Sequence, residues 1–158
     1  MINILFVCMG NICRSPSAEG FFAHALKQSD YSKRVSIDSA GTHGYHVGHA
    51  PDPRAIDTAA NFDVDISQLR SRKVNTSDFH NYDLIVAMDR SNLADLQRIQ
   101  PTDSTASLKM MMEYHPEGHP GEVPDPYYGG MAGFSYMCEL LEAATTGLLK
   151  DVEERLSR

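Results

Sequence analysis

A cysteine-containing loop between a buried strand and a helix is the feature that most constrains how this chain folds. Residues 2–7 read Ile-Asn-Ile-Leu-Phe-Val, a nearly continuous apolar run about one strand long. After the loop, apolar residues recur at helical spacing between Ala18 and Leu26. Such a strand–loop–helix unit directs backbone N–H groups, and the positive end of the helix dipole, into the loop. The sequence therefore predicts an anion-binding loop at residues 8–15.

The residue types in this loop favour phosphoryl chemistry. A thiol in such a loop is readily ionised, so Cys8 is a candidate nucleophile. Arg14 can hold two oxygens of one phosphate at once. Gly10 permits close approach of the backbone to a ligand, and Asn11 tolerates left-handed backbone geometry. A cysteine five residues before an arginine also occurs by chance, and the alternative is an unreactive core cysteine beside a solvated arginine.

Apolar strand-like runs alternate with helical patterns along the rest of the chain. This alternation favours one three-layer α/β domain over residues 1–158, with a parallel sheet and helices on both faces. The predicted strands are Ile2–Val7, Val35–Asp38, Leu84–Ala87 and Leu108–Met112. The predicted helices are Ser15–Lys27, Pro53–Ala60, Ser91–Ile99 and Ala132–Leu149, the last extended as far as Leu156. Ser15 is predicted to cap the first helix, with Pro16 at its first helical position.

Composition excludes several classes of protein and partner. The formal net charge of −7 argues against nucleic acids and anionic membranes as partners. No apolar stretch reaches the roughly 18 residues of a membrane span, and no basic segment precedes the first apolar run as in a signal peptide. The odd number of cysteines, 3, indicates free thiols in a reducing compartment. We therefore expect a cytoplasmic protein.

Five segments, in order along the chain, resemble those of the low-molecular-weight protein tyrosine phosphatases. They are Val7–Glu19, Asp38–Thr42, Pro51–Ala55, Ala87–Leu93 and Val123–Gly129. The resemblance implies a four-stranded parallel sheet with a phosphate-binding loop after the first strand. It also implies an enzyme that hydrolyses protein phosphotyrosine and aryl phosphate monoesters without a cofactor. The expected partner is a tyrosine-phosphorylated protein, and the expected state is a monomer or weak dimer.

The resemblance also implies roles for individual residues. Cys8 would attack phosphorus to form a phosphocysteine, and Asp125 would act as general acid and then as general base. Arg14 would bind phosphate together with the backbone of the loop, whose remaining residues are Met9, Gly10, Asn11, Ile12 and Cys13. Ser15 could donate its hydroxyl to the sulfur. Judged from the residues alone, Asp125 between two prolines is more typical of a solvated turn than of a catalytic acid.

Aromatic residues and a second cysteine complete the predicted site. Tyr45, Tyr127 and Tyr128 would form walls for the flat ring of phosphotyrosine. In some members of the family, a cysteine at the position of Cys13 pairs reversibly with the nucleophile, so we hypothesise a Cys8–Cys13 disulfide under peroxide.

Three other interpretations compete with this one. His43, His46 and His49 recur every third residue, but their glycine-rich context indicates solvated loop histidines, and we expect no metal site. A thioredoxin-linked arsenate reductase shares the resembling loop but needs a cysteine pair after the third strand, and residues 82–105 contain no cysteine. A non-catalytic phosphate-binding or redox-sensing module is the third interpretation. The presence of Cys8 and Asp125 favours an enzyme over that module.

Overall fold

Four parallel strands form one sheet at the centre of the molecule. The computed structural model describes residues 1–158. Its strands are β1 (Ile2–Cys8), β2 (Val35–Gly41), β3 (Leu84–Ala87) and β4 (Ser107–Met110). They pair in the order β2-β1-β3-β4, all in parallel. The two central strands, β1 and β3, are almost entirely buried, as expected for apolar strands covered on both faces.

Helices cover both faces of this sheet, which confirms the predicted three-layer arrangement. The helices are α1 (Arg14–Leu26), α2 (Pro53–Ala60), α3 (Asp78–Asn81), α4 (Arg90–Ile99) and α5 (Met131–Leu156), with short 3-10 turns at Ser32–Arg34 and Met111–Tyr114. Because side chains alternate along a strand, β1 contributes to two cores. Ile4 and Phe6 pack in a core with α1, α2 and α5. Leu5 and Val7 pack on the opposite face with residues of α3 and α4.

Several predicted element bounds differ from the structure. β2 continues past Asp38 to Gly41, because Gly41 still pairs with Cys8 at the end of β1. The prediction that the fourth strand reaches Met112 was wrong, since β4 ends at Met110. Met111 and Met112 lie in the following 3-10 turn and are both buried. Two successive strand residues would point to opposite faces of the sheet, whereas here the turn buries both in one core.

The predicted N-cap of the first helix was also wrong. Helix α1 begins at Arg14 with Cys13 as its N-cap, no side chain caps it, and Pro16 is its third residue. The hydroxyl of Ser15 bonds to side chains of the preceding loop rather than to the first helical turn. The N–H groups at the start of α1 therefore have no capping side chain and remain directed toward the loop.

Helix α5 packs against the core through an apolar stripe. All the stripe residues are buried, namely Phe134, Met137, Leu141, Ala144, Leu148 and Val152. Cys138 is buried beside them, and burial raises the pKa of its thiol to about 12, so this cysteine is an inert part of the core. Among the helices there is none whose length and apolar character would let it span a bilayer.

Candidate active site

Cys8 lies where the sheet topology opens a crevice. Strand β2 lies on one side of β1 and strand β3 lies on the other, so the strand order reverses at β1. In open α/β sheets, ligands bind at such a switch point, beyond the carboxyl ends of the strands. Cys8 is the last residue of β1 and is only 3 % exposed. It borders a pocket of about 320 Å³. The other lining residues are Met9, Gly10, Ile12, Cys13, Arg14, Tyr45, His46, Asp125, Tyr127 and Tyr128.

The loop after Cys8 turns its carbonyl groups away from this pocket. Five of its carbonyls accept hydrogen bonds from the surrounding protein. Those of residues 8, 9 and 12 accept from the N–H groups of Thr42, His43 and Asp52, respectively. The carbonyl of residue 10 accepts from the Ser71 hydroxyl, and that of residue 13 accepts from both the N–H and the hydroxyl of Ser17. By contrast, the backbone N–H groups of residues 9–15 donate to no other atom of the protein. Of these residues, Met9, Gly10, Ile12, Cys13 and Arg14 line the pocket. A loop with several unpaired N–H donors beside a pocket is the arrangement that binds a tetrahedral oxyanion.

Asn11 holds this loop in shape from behind. Its φ of 57° is left-handed, which asparagine tolerates better than most residues. Its Nδ2 donates to Ser15 Oγ at 2.7 Å and to Ser39 Oγ at 3.0 Å, while its Oδ1 accepts from the N–H of Arg72 at 3.0 Å. Asn11 and Ser15, both predicted to bind substrate, are buried and do not line the pocket. Their side chains support the loop, while their backbone N–H groups have no partner within the protein.

Ser15 connects this support to the thiol. Its Oγ lies 3.1 Å from Cys8 Sγ, and it already accepts a hydrogen bond from Asn11. Because that bond occupies a lone pair and not the proton, the Ser15 hydroxyl can donate to this sulfur or to the carbonyl of Ala40, which lies farther away at 3.4 Å. A sulfur that accepts this hydrogen bond is stabilised in its anionic form.

The Arg14 guanidinium is fixed by a carboxylate below the pocket. Its Nη1 donates to Asp89 Oδ2 at 2.6 Å and to the carbonyl of Val123 at 3.1 Å. Burial tends to lower the pKa of Arg14, but nearby Cys8 and Asp89 raise it on balance. Its Nε and Nη2 form no hydrogen bond within the protein and remain available for phosphate oxygens. Asp89 also caps α4, so it connects Arg14 to the start of that helix.

Asp125 and three tyrosines also line the pocket. Asp125 Oδ1 accepts from the N–H of Tyr127 at 3.0 Å, and its Oδ2 lies 3.7 Å from Arg14 Nη2. Tyr127 and Tyr128 contact edge to face, and Tyr128 is 95 % exposed. Tyr45 is 77 % exposed. The carboxyl group and the aromatic rings therefore lie at the mouth, and the thiol lies in the interior.

Sequence reasoning missed two residues of this region. His46 lines the pocket beside Gly10, although the sequence indicated only a solvated histidine; its position next to Tyr45 was the available signal. Arg54 lies next to the pocket wall, with its guanidinium carbon 5.5 Å from the centre of the Tyr127 ring. Arg54 follows Asp52 at the start of the predicted helix Pro53–Ala60, and this spacing was the available signal for an ion pair between the two residues.

Comparisons with known proteins agree with this geometry. A family model described as low molecular weight phosphotyrosine protein phosphatase matches residues 3–158. A phosphatase of that description from Schizosaccharomyces pombe is 45% identical over 134 residues, covering 84% of this chain and 85% of the relative. A low molecular weight protein-tyrosine-phosphatase from Streptomyces coelicolor is 40% identical over 98% of this chain and 95% of its own length. The crystal structure of a protein tyrosine phosphatase from Entamoeba histolytica, with Hepes in its active site, has a TM-score of 0.93 and 36% identity over 98% of both chains.

Proposed function

Because this chain belongs to the low molecular weight phosphotyrosine protein phosphatase family, and is thus a phosphoric monoester hydrolase, we propose that it dephosphorylates protein phosphotyrosine through a phosphocysteine. We assign this activity to residues 1–158 as one domain. The observation that carries the proposal is the loop itself. The backbone N–H groups of residues 9–15 are unpaired within the protein, and most of these residues line one pocket together with Cys8 and the guanidinium of Arg14.

In the first step the Cys8 thiolate attacks phosphorus. An S–P bond forms as the bond from phosphorus to the tyrosine oxygen breaks, and Asp125 gives its proton to that oxygen. Arg14 and the loop N–H groups bind the three non-bridging oxygens, whose charge redistributes in the transition state. The donors are fixed before substrate arrives, so little reorganisation is needed during the reaction.

In the second step water attacks the phosphocysteine. The Asp125 carboxylate accepts a proton from this water, a P–O bond forms, and the S–P bond breaks to release inorganic phosphate and the Cys8 thiolate. The Ser15 hydroxyl, 3.1 Å from Cys8 Sγ, supports the departing thiolate. Both steps use groups of the chain and water, and no cofactor is required.

The depth of the pocket favours phosphotyrosine over shorter phosphoesters. Cys8 is almost fully buried, while Tyr45 and Tyr128 at the mouth are largely exposed. A phosphoryl group on a long, flat phenol reaches the loop with its ring between these side chains, where aromatic contacts are favourable. A phosphoryl group on a short serine side chain would have to bring its backbone into the mouth. We therefore propose tyrosine-phosphorylated proteins as the substrate class.

Hydrolysis of phenyl phosphate in the presence of EDTA tests the mechanism. The parent protein should turn over, and Cys8→Ser should reduce kcat/KM by more than about 10⁴-fold. Cys138→Ala, which removes a core thiol from α5, should retain activity and is the matched control. Rapid quenching of the parent should trap phosphate on Cys8. Turnover that survives Cys8→Ser, or a reduced parent protein with no turnover, would contradict the proposal, and thiol-coupled arsenate reduction would then be assayed.

The assignment of Asp125 has its own test. Asp125→Ala should lower kcat/KM for phenyl phosphate by about 100-fold, because the leaving phenolate then departs without a proton. Dinitrophenyl phosphate has a stable leaving group, so its kcat/KM should change little. Equal losses on both substrates would remove Asp125 from the role of general acid.

We also propose that Cys13 protects the nucleophile from irreversible oxidation. Burial raises the pKa of the Cys13 thiol well above its usual range, and the charges of Asp52 and Cys8 raise it further, so Cys13 rests as a neutral thiol. Peroxide would oxidise Cys8 to a sulfenic acid, and Cys13 would then displace water to form a disulfide. Peptide mapping should find this disulfide, and Cys13→Ser should lose the reactivation by dithiothreitol that the parent shows. Irreversible loss in the parent, without the disulfide, would reject this role.

A further inference from the structure

The guanidinium of Arg54 is held in one orientation beside the pocket. Arg54 is the second residue of α2, and its backbone N–H donates to the capping carboxylate of Asp52 at 2.8 Å. Its Nε lies 3.0 Å from Asp52 Oδ1 and its Nη2 lies 2.8 Å from Asp52 Oδ2. A two-point pairing of this kind fixes the plane of the guanidinium as well as its position. Arg54 is thus fixed although its side chain is 38 % exposed.

The same ion pair is joined to the phosphate-binding loop. The backbone N–H of Asp52 donates to the carbonyl of Ile12 at 2.8 Å, and the Asp52 side chain is only 8 % exposed. This backbone hydrogen bond joins Asp52 to the loop that surrounds Cys8, and it does not involve the Arg54 guanidinium. Arg54 is therefore connected to the loop only through its ion pair with Asp52.

The faces of the guanidinium contact the other side of the site. Its central carbon lies 5.5 Å from the ring centre of Tyr127 and 4.7 Å from that of Phe134, within the range of cation–π contacts. Tyr127 in turn donates its backbone N–H to Asp125. A continuous series of contacts thus leads from the phosphate-binding loop through Arg54 to the carboxyl group.

Asp125 has few other constraints. The only hydrogen bond to its side chain is the one from Tyr127, and the Arg14 cation lies 3.7 Å away. Its side chain is 37 % exposed, and its neighbour Tyr128 is almost fully exposed. Two residues before Asp125, the backbone of Val123 is held by Met88 and Arg14. On the other side of Asp125, the contact between Arg54 and Tyr127 is the link that restrains the carboxyl group.

We propose that Arg54 is a positioning residue for proton transfer by Asp125, because it holds Tyr127 and thereby fixes the carboxyl group over the leaving oxygen. This inference rests on the proposed function, in which Asp125 protonates that oxygen. Arg54 itself touches neither the phosphoryl group nor the reacting atoms. Its loss should impair only reactions that need the proton, because the nucleophile and the phosphate donors stay in place.

Arg54→Met tests this role, since methionine keeps an unbranched apolar stem but lacks the cation and the two-point pairing. We expect kcat/KM for phenyl phosphate to fall about 10-fold, and kcat/KM for dinitrophenyl phosphate to fall less than about 2-fold. Arg54→Lys, which keeps the charge without the planar fork, should give an intermediate loss on phenyl phosphate. Arg98→Met, which removes an arginine paired with Asp95 on α4, is the control for loss of one surface cation. Thermal unfolding of each variant verifies that the fold is retained.

A double-mutant cycle separates positioning from general destabilisation. If Arg54 acts through the carboxyl group, Arg54→Met should cost less than about 2-fold on phenyl phosphate once Asp125→Ala is present. Equal losses on the two substrates, or an undiminished loss in the Asp125→Ala background, would overturn the inference. If Asp125→Ala itself fails to distinguish the substrates, the proposed acid is wrong and the inference falls with it. A selective Asp125→Ala with an unselective Arg54→Met would overturn the inference alone.

Discussion

The phosphate-binding loop at residues 8–15 and the acid segment at residues 123–128 face each other across one pocket, yet they are built differently. In the loop, nearly every carbonyl is hydrogen-bonded to the protein, and Asn11, Arg14 and Ser15 are buried. In the acid segment, Val123 is anchored to β3 through the backbone of Met88, but the carboxyl group of Asp125 is over a third exposed.

This difference fits the two tasks that we propose for these regions. Stabilising charge on a phosphoryl group requires dipoles that are fixed in advance, because their reorganisation would cost part of the stabilisation. Delivering a proton to a leaving group requires a carboxyl group that a bulky protein substrate can approach. The loop should therefore matter equally for every phosphate ester, and the acid segment should matter according to the leaving group.

The largest expected loss of activity comes from changing Arg14 in the phosphate-binding loop. Arg14→Lys keeps a cation that can still pair with Asp89, but it loses the planar fork that binds two oxygens. We expect kcat/KM to fall about 10²- to 10³-fold. Kinetics on phenyl and dinitrophenyl phosphate should show the same loss on both. A loss confined to phenyl phosphate would mean that Arg14 acts mainly on Asp125 and would remove the contrast between the two regions.

Ser15→Ala should have a smaller effect in the same loop. Removing the hydroxyl 3.1 Å from Cys8 Sγ takes away a hydrogen bond to a charged sulfur, which corresponds to about a 10-fold loss of kcat. Ser17→Ala is the matched control, because this buried hydroxyl of the same helical turn bonds to the carbonyl of Cys13 instead of the thiol. Similar kinetic losses in the two variants would indicate that Ser15 contributes packing and not sulfur stabilisation.

Tyr45→Ala probes the open side of the pocket. Loss of an aromatic wall should lower kcat/KM on a phosphotyrosine peptide by about 2- to 10-fold, because such contacts contribute modest energies. Val47→Ala changes an exposed side chain of the same segment that does not line the pocket, and should have no effect. An unchanged kcat/KM in Tyr45→Ala would reject the assigned role.

The difference between the two regions also explains which features the sequence could predict. The loop is local in sequence, so the strand before it, the helix after it and the spacing from Cys8 to Arg14 were all visible. The predicted ends of strands were wrong where strand pairing or core packing determines them. At Gly41, for example, β2 is longer than predicted because Gly41 pairs with Cys8. The predicted cap at Ser15 failed because the hydroxyl is used by Asn11 and Cys8 instead.

The acid segment was predictable only through the family resemblance. Asp125 lies far from Cys8 along the chain, and an aspartate between prolines has no pattern of its own that distinguishes an acid from a turn. The contact of Arg54 with Tyr127 joins segments of α2 and of the loop before α5, and no local periodicity encodes such a contact. Residues that act through tertiary contacts, such as Arg54 and His46, needed the structure.

The smallest expected effect concerns stability and lies behind the loop, at Glu19. Burial raises the pKa of the Glu19 carboxyl, although the hydrogen bond from Ser39 opposes this rise. A raised pKa means that the folded protein binds the proton more tightly than the unfolded chain does. The contribution of Glu19 to stability is therefore greatest below its unfolded pKa and is lost as pH rises through the folded value.

Glu19→Gln tests this because glutamine keeps an acceptor for Ser39 and carries no charge. Thermal unfolding should show the variant a few degrees more stable than the parent at neutral pH, with the difference shrinking toward about pH 4, where the parent carboxyl is protonated. Glu154→Gln, at an exposed position of α5, controls for the loss of one negative charge. A Glu19→Gln variant that is less stable than the parent at neutral pH would mean that the charged carboxylate supports Ser39 and the loop. The negative charge of Glu19 would then stabilise the phosphate-binding loop, whereas the proposed effect of burial is that this charge destabilises the fold.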